Sequence, residues 1–493
     1  MRKTMKFKKR YIAFLLMLLS VFQGCSFAGM SDDDLLQPPK ATGVKAEIQN
    51  LLEITTNGEY KLKYPQTGDY RSAIIMHDIG GNASEEAIAF YKTGKDNNTN
   101  IIFMRETNAK WEVINSYSNA NTDIDRIYFG DVDDDGSAEV IVAWTSYITA
   151  TNQITMYDYK ENEVRQIGVS GKNTAYTEMV MADITGDKID DLVVLTTYPT
   201  DEQVSKTITS AILYSNCVDG TFSKVSEIST VSNVVSYSQL IIGNVDKQTK
   251  GLFVDGYTQN PNEQITQVIY YSQAEQILRN PLNVTDNNGG NQNITLRETV
   301  TVCKDVDNDG IMEVPSVYTP LVSAENISSS PIIRWHKIDT RNADTEKAVD
   351  TYSNYFDNYY FVLPEQWENR VVASNDNSSR TTVFYEINGT GYDTENIREN
   401  ATNQGVENAT VPEIDSQPKN LEEKVTVNSV PLLTLKVFTE KVWKNEGTDK
   451  LAEGFVVIED RSGLIYTCKI GKTDENRLDI STKQVTENFN IIK

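Results

Sequence analysis

The sequence predicts a mainly β protein: a propeller of stacked sheets followed by a smaller α+β C-terminal domain. Three observations predict it. Short apolar or alternating strands recur between polar turns through residues 55–350. An acidic or amide-led loop stands at the same point of each strand set, starting at Asp78, Asp131, Asp183, Asn244 and Asp305. Successive starts lie 53, 52, 61 and 61 residues apart. That interval holds several strands with their turns and suits blades rather than a helical solenoid.

Taken in order, the chain opens on Arg2, Lys3, Lys6, Lys8, Lys9 and Arg10, followed by the apolar run from Tyr11 to Phe22 and then Gln23-Gly24-Cys25. This basic, apolar, small-residue-then-Cys order reads as a secretion signal over residues 1–24. It resembles the lipobox of bacterial lipoproteins. That resemblance implies cleavage before Cys25, lipidation of its sulfur, and anchoring at the extracytoplasmic face of a bacterial cell membrane. Asp32-Asp33-Asp34 and Pro38-Pro39 then read as part of a polar tether over residues 25–54.

Within residues 55–350 each repeat has the same grammar. A short apolar strand such as Ile127-Tyr128-Phe129 enters the loop, a longer one such as Ala138 to Trp144 leaves it, and an alternating strand such as Gln153 to Tyr159 follows. One twisted sheet cannot bury both faces alone, so neighbouring repeats must stack face to face.

The loops carry the clearest chemistry. In the fullest copy Asp131, Asp133 and Asp135 alternate along the backbone, the Ser137 carbonyl follows, and Glu139 stands ninth. Asp305, Asp307, Asp309, the Ile311 carbonyl and Glu313 repeat the pattern. Asp183, Thr185, Asp187, the Ile189 carbonyl and Asp191 form a copy with less charge. Such oxygen shells suit Ca2+, which takes six to eight hard oxygens; two strong sites and one weaker one are expected. An EF-hand needs an acid at position 12 and flanking helices, whereas position 12 here is Val142, Val194 or Ser316 and the flanks are strand-like. Asp78 and Asn244 lead loops without carboxylates at the third and fifth positions together, and read as metal-free turns.

Phe129-Gly130-Asp131-Val132-Asp133-Asp134-Asp135-Gly136, with Ala182 to Asp187 and Cys303 to Gly310, is similar to the FG-GAP or VCBS repeat. This repeat occurs in integrin alpha subunits and in bacterial surface proteins. The resemblance implies a calcium-laced propeller; five repeats are recognisable here, and the family's rings usually close with seven blades.

After residue 350 the pattern changes. Asn369 to Ala373 and Thr381 to Glu386 read as a hairpin, residues 392–424 as a long polar loop, and Pro431 to Phe438 as a strand. Thr439 should cap a helix carrying Trp443. Gly454 to Ile458 and Leu464 to Ile470 should form a second hairpin, and Ser481 to Ile492 an amphipathic helix. Residues 351–493 are read as a separate α+β domain.

The formal net charge of −24 argues against nucleic acid as a partner. Cys217, Cys303 and Cys468 form no CxxC pair and read as buried thiols. His77 and His336 are the only histidines, and no nucleophile elbow or HExxH motif occurs. The sequence therefore favours a non-enzymatic, membrane-anchored surface lipoprotein, with the propeller as a scaffold binding a surface protein or cell-wall polymer. A calcium-dependent carbohydrate-active enzyme, lyase or glycosidase, is the alternative.

Overall fold

The computed structural model describes residues 42–492 except 95–96, 149–151, 170–174, 202–203, 219–220, 232–233, 261, 285–291, 321–326, 389–425 and 472–477. The expected signal segment, Cys25 and the stretch 392–424 expected to be a polar loop lie outside the described residues. No described helix is long and apolar enough to cross a membrane. The protein is mainly β. It divides into two compact units, residues 1–126 with 161–164, and residues 127–160 with 165–493.

In the first unit, strands Ile74–His77, Glu86–Lys92, Thr99–Thr107 and Lys110–Asn119 pair antiparallel in chain order. Lys61–Lys63 extends the edge beside Ile74–His77. Helix Val44–Thr56 lays Ile48 and Leu52 on Ile74, Ala87, Ala89, Tyr91, Ile102 and Met104. Its end is a left-handed Asn57, with the Gly58 N–H returned to Glu53.

The same four-strand plan recurs along the chain from Thr122 onward, most of it in the second unit. The strands are Thr122–Gly130, Glu139–Ser146, Asn152–Lys160 and Glu163–Val169, then Glu178–Ala182, Asp191–Asp201, Val204–Val218 and Thr221–Ser229. Val234–Asn244, Lys250–Thr258, Gln264–Ser272 and Ile277–Arg279 form the next sheet. In the fifth repeat the first strand shrinks to a bridge between Lys304 and Glu313, ahead of Val314–Tyr318, Ile332–Asp339, Asp344–Asn354 and Tyr359–Val362.

The side-chain period of two explains how these sheets bury both faces. Leu192 and Val194 pack with Ile141, Ala143, Ile154 and Met156 of the preceding sheet. Their alternates Val193 and Leu195 pack with Leu252, Val254 and Ile269 of the following one. Phe253, pointing opposite to its neighbours Leu252 and Val254, joins Val314 and Ile338. Continuous apolar runs such as Leu192 to Leu195 are therefore strands sandwiched between sheets.

Two glycines make the close stacking possible. A Cβ on Gly130 would lie 2.2 Å from Met181 Cε, and one on Gly243 would lie 2.4 Å from Met312 Cγ, in each case a side chain of the next repeat. Beside them the backbones are tied: the Asp190 N–H donates to the Asp131 carbonyl at 3.1 Å, and the Met312 N–H to the Asn244 carbonyl at 2.9 Å.

The structure differs from expectation after residue 350. Strand Asp344–Asn354 runs through that position. Tyr352, Tyr359 and Phe361 of the fifth repeat share one core with Trp367, Val371, Phe384, Leu433, Leu435 and Tyr466. The change in composition at 350 thus marks no break in packing. The last sheet runs Val371–Asp376, Thr381–Asn388, Thr426–Thr439, Leu464–Ile470, Val456–Arg461. Helix Glu440–Ala452 is capped by the Thr439 hydroxyl, as its sequence predicts. The final predicted helix is shorter: it spans Thr482–Asn488, with a Ser481–Gln484 capping box. Phe489–Ile491 then becomes a strand against Tyr359–Phe361, because Phe489 stacks on Tyr359 with ring centroids 5.0 Å apart. The three described cysteines are free thiols, with Cys303 and Cys468 buried and Cys217 half-buried.

Candidate metal centre

Each acidic loop joins a strand to its neighbour, and one hydrogen bond recurs in four of them. The acid at position nine turns back and accepts the N–H of position two: Glu86 from Ile79 at 3.1 Å, and Glu139 from Val132, Asp191 from Ile184 and Glu313 from Val306, each at 2.8 Å. Glu139, Asp191 and Glu313 are completely buried. The turn itself needs a left-handed residue at position six, supplied by Gly136 (φ 88°) and Gly310 (φ 87°).

Two loops bring acids together. Asp131, Asp133 and Glu139 place carboxylate oxygens within 4.8 Å of one another, as do Asp305, Asp307, Asp309 and Glu313. In the first cradle one oxygen of each acid is satisfied: Asp131 Oδ2 by the Gly136 N–H, Asp133 Oδ2 by Lys160, and Glu139 Oε2 by Val132. The other oxygens, Asp131 Oδ1, Asp133 Oδ1 and Glu139 Oε1, are buried without a hydrogen-bond partner. Buried polar atoms are ordinarily paired, and three anionic oxygens left over at one point fit a divalent cation. In the other cradle Glu313 Oε1 is buried with no well-formed hydrogen bond, and only the Lys337 ammonium approaches it, at 3.4 Å.

Electrostatics agree. Burial, with Asp133, Asp158 and Asp135 nearby, pushes the Glu139 carboxyl up to about 8. Burial and Asp307 push Glu313 up to about 7 against the opposing pull of Lys337. Each acid resists ionising there until positive charge arrives.

The predicted ligands do not all converge. Asp135 lies outside the first trio; its Oδ1 accepts from the Ser137 N–H and hydroxyl and its Oδ2 faces Lys160. Asp158, on strand Asn152–Lys160, is outside the trio as well, but it reaches Lys160 through Oδ2 at 3.4 Å and keeps a buried, unpaired Oδ1. Asp158 is far from the loop in sequence, and only strand pairing brings it near. In the 183 loop, Asp183 accepts the Gly186 and Lys188 N–H groups and Asp187 that of Ile189, while Asp191 takes Ile184 and Thr185 on Oδ2 and leaves Oδ1, with Thr185 Oγ1, buried without a partner. No trio of acids forms there among the described residues. Ile311 N–H likewise donates to Asp309 at 2.9 Å, which aligns the turn whose carbonyl is the fourth expected oxygen.

The other two loops are closed by protein groups. Asp78 accepts the Asn82 and Ala83 N–H groups. Asp246 accepts Gln248, Thr249 and the Thr340 hydroxyl. His336 serves packing: its Nε2 lies 2.8 Å from Ser316 Oγ, while its neighbours Arg334 and Trp335 engage Asp350 and Thr351. His77 meets Tyr70 edge-on at 5.9 Å.

No family model matches the chain, and no curated protein matches it. Among solved structures it is similar to rhamnogalacturonan lyase YesW, with 9% identity, TM-score 0.26, 57% of this chain and 66% of that one covered. The match thus spans just under two thirds of that lyase. Exotype rhamnogalacturonan lyase YesX gives 10% identity and TM-score 0.27, covering 68% and 73%. A Bacillus licheniformis rhamnogalacturonan lyase gives 11% identity and TM-score 0.27, covering 66% and 71%. The expectation of a non-enzymatic binding scaffold is corrected by this result, since the named neighbours are carbohydrate-active enzymes. At such TM-scores the likeness assigns this chain neither substrate nor reaction.

Proposed function

We propose that this chain is a calcium-dependent carbohydrate-active protein of the bacterial surface, built as an FG-GAP/VCBS-like propeller and anchored through Cys25. The observation that carries the calcium part is the set of unpaired, buried carboxylate oxygens on Asp131, Asp133 and Glu139 at one point. Three acids gathered in that loop, and four in the 305 loop, repel one another, and a dication bound among them cancels that repulsion and pins the loop to its strand. The oxygen-only donor set suits calcium over softer metals. The 183 loop is the weaker third site.

A cleft of about 270 Å³ supports the carbohydrate part. Tyr352, Tyr355, Phe356, Asn354, Asn375 and Asn377 line it. Tyr355 and Phe356 are 54% and 61% exposed, unusual for aromatics on a tight strand-to-strand turn. Tyr355 is held by Thr301 at 2.8 Å, and Asn375 by Thr382 at 2.8 Å and by Asn377 at 2.7 Å. Fixed aromatic faces beside amides match a sugar ring, which offers an apolar C–H face and hydroxyls at its rim.

The test is a glycan panel, rhamnogalacturonan included, run with calcium and with chelator. Binding is read by calorimetry, and cleavage by unsaturated products or new reducing ends. Calcium-dependent binding that Tyr355→Ala with Phe356→Ala abolishes, at unchanged melting temperature, is expected. A protein that binds calcium yet neither binds nor cleaves any glycan would remove the carbohydrate reading.

A further inference from the structure

Each of the two acid-gathering loops has a lysine ammonium built into it, and among the described residues the other three loops show none in their hydrogen bonds. Lys160 Nζ lies 2.5 Å from Asp133, 3.3 Å from Asp135 and 3.4 Å from Asp158. Lys337 Nζ lies 2.6 Å from Asp309, 2.9 Å from Asp307 and 3.4 Å from Glu313 Oε1. Both lysines come from the third strand of their sheet, Asn152–Lys160 and Ile332–Asp339. Both meet the acids at loop positions three and five. The loops at 78 and 244 satisfy their acids with backbone N–H groups and Thr340 instead, and the 183 loop uses backbone N–H groups.

We infer that Lys160 and Lys337 are tethered counter-cations that hold the metal-free loops together and compete with calcium, setting its affinity. The inference rests on the calcium reading above. A fixed unit charge roughly 5 Å from a dication opposes it by about tenfold in binding even at a water-like dielectric. The two sites differ in how directly they compete. Lys337 reaches Glu313 Oε1, the oxygen left for an ion once Val306 has taken Oε2. Lys160 binds Asp133 Oδ2 and leaves Asp131 Oδ1, Asp133 Oδ1 and Glu139 Oε1 without hydrogen bonds. Lys337 is therefore the stronger competitor.

The experiment is a chelator-competition titration of calcium on the full chain, wild type against Lys160→Met and Lys337→Met, with Lys337→Arg as the charge-preserving control. Lys337→Met should tighten its site about tenfold and Lys160→Met by a smaller factor, with Lys337→Arg near wild type. In chelator both methionine variants should melt below wild type, and a variant that folds only with calcium present supports the inference equally. Unchanged or weaker calcium binding in Lys337→Met overturns it. If that variant folds under neither condition, Lys160→Met decides by the same criterion. A wild type that binds no calcium at all would instead sink the calcium reading itself.

Discussion

At the scale of the residue, position nine of each loop carries the most consequence. Glu139 and Glu313 are buried acids that give one oxygen to the loop backbone and hold the other toward their neighbours. An ion at a hundred times its dissociation constant would stabilise the fold by about 2.7 kcal/mol per site. Chelation should therefore lower the melting temperature, and Asp131→Ala combined with Asp305→Ala should erase the calcium-dependent part. A calorimetric scan with and without chelator checks this. The pH dependence follows from the same acids. Their folded-state values, about 8 and about 7, lie above the ordinary 4.5. The contribution of these two acids to metal-free stability is thus fully present below about pH 4.5 and is lost as pH rises through 7 and 8. Chelated protein should melt progressively lower from pH 5 to 8, while calcium binding strengthens over the same range as protons leave. A chelated melting curve that is flat across that window would contradict the burial of these groups.

At the scale of the element, the strand–loop–strand unit was legible because its signals are local: Asp at alternate positions, Gly at the turn, an apolar run beyond. The lysines and Asp158 were not legible, since they reach the loops only across paired strands. Asp135 accepts from a serine two residues on, a local contact that spacing alone does not rank. The glycine before the loop was seen as part of a motif, but its physical cause is contact with the following repeat. Gly243→Ala should cost about 1–3 kcal/mol by overpacking against Met312. Gly130→Ala should cost a similar amount, because the methyl end of Met181 can move but Asp190, 2.7 Å from the new Cβ at Oδ2, is tied to Asp131. Adding Met312→Ala to Gly243→Ala should recover part of the loss. Denaturant midpoints at constant slope would measure all three.

At the scale of the whole molecule, the second unit is held by sheets sharing side chains across both faces, and one buried ion pair ties a long excursion into it. Arg297 and Asp255 are fully buried and 3.0 Å apart. Arg297 also donates to the Thr295 carbonyl and to Thr266 Oγ1, while Asp255 Oδ2 accepts the Cys303 N–H. Removing one partner strands the other charge: Arg297→Met should cost about 3–5 kcal/mol, and Arg297→Met with Asp255→Leu should recover much of it. Equilibrium unfolding of the three proteins tests this. The sequence showed neither partner, because nothing local marks an arginine as buried. It also placed a domain boundary at 350 on composition, while the core there is continuous through Tyr352, Phe361 and Phe384.

The tie from the Asp190 N–H to the Asp131 carbonyl gives that loop a double duty. With the proposed cation bound, one residue would offer its side chain to the ion and its main chain to the adjoining sheet. Emptying or filling that joint would change how firmly the next layer is fastened. Swings in environmental calcium would then tighten or slacken the stack joint by joint, as a mechanical response rather than a chemical one.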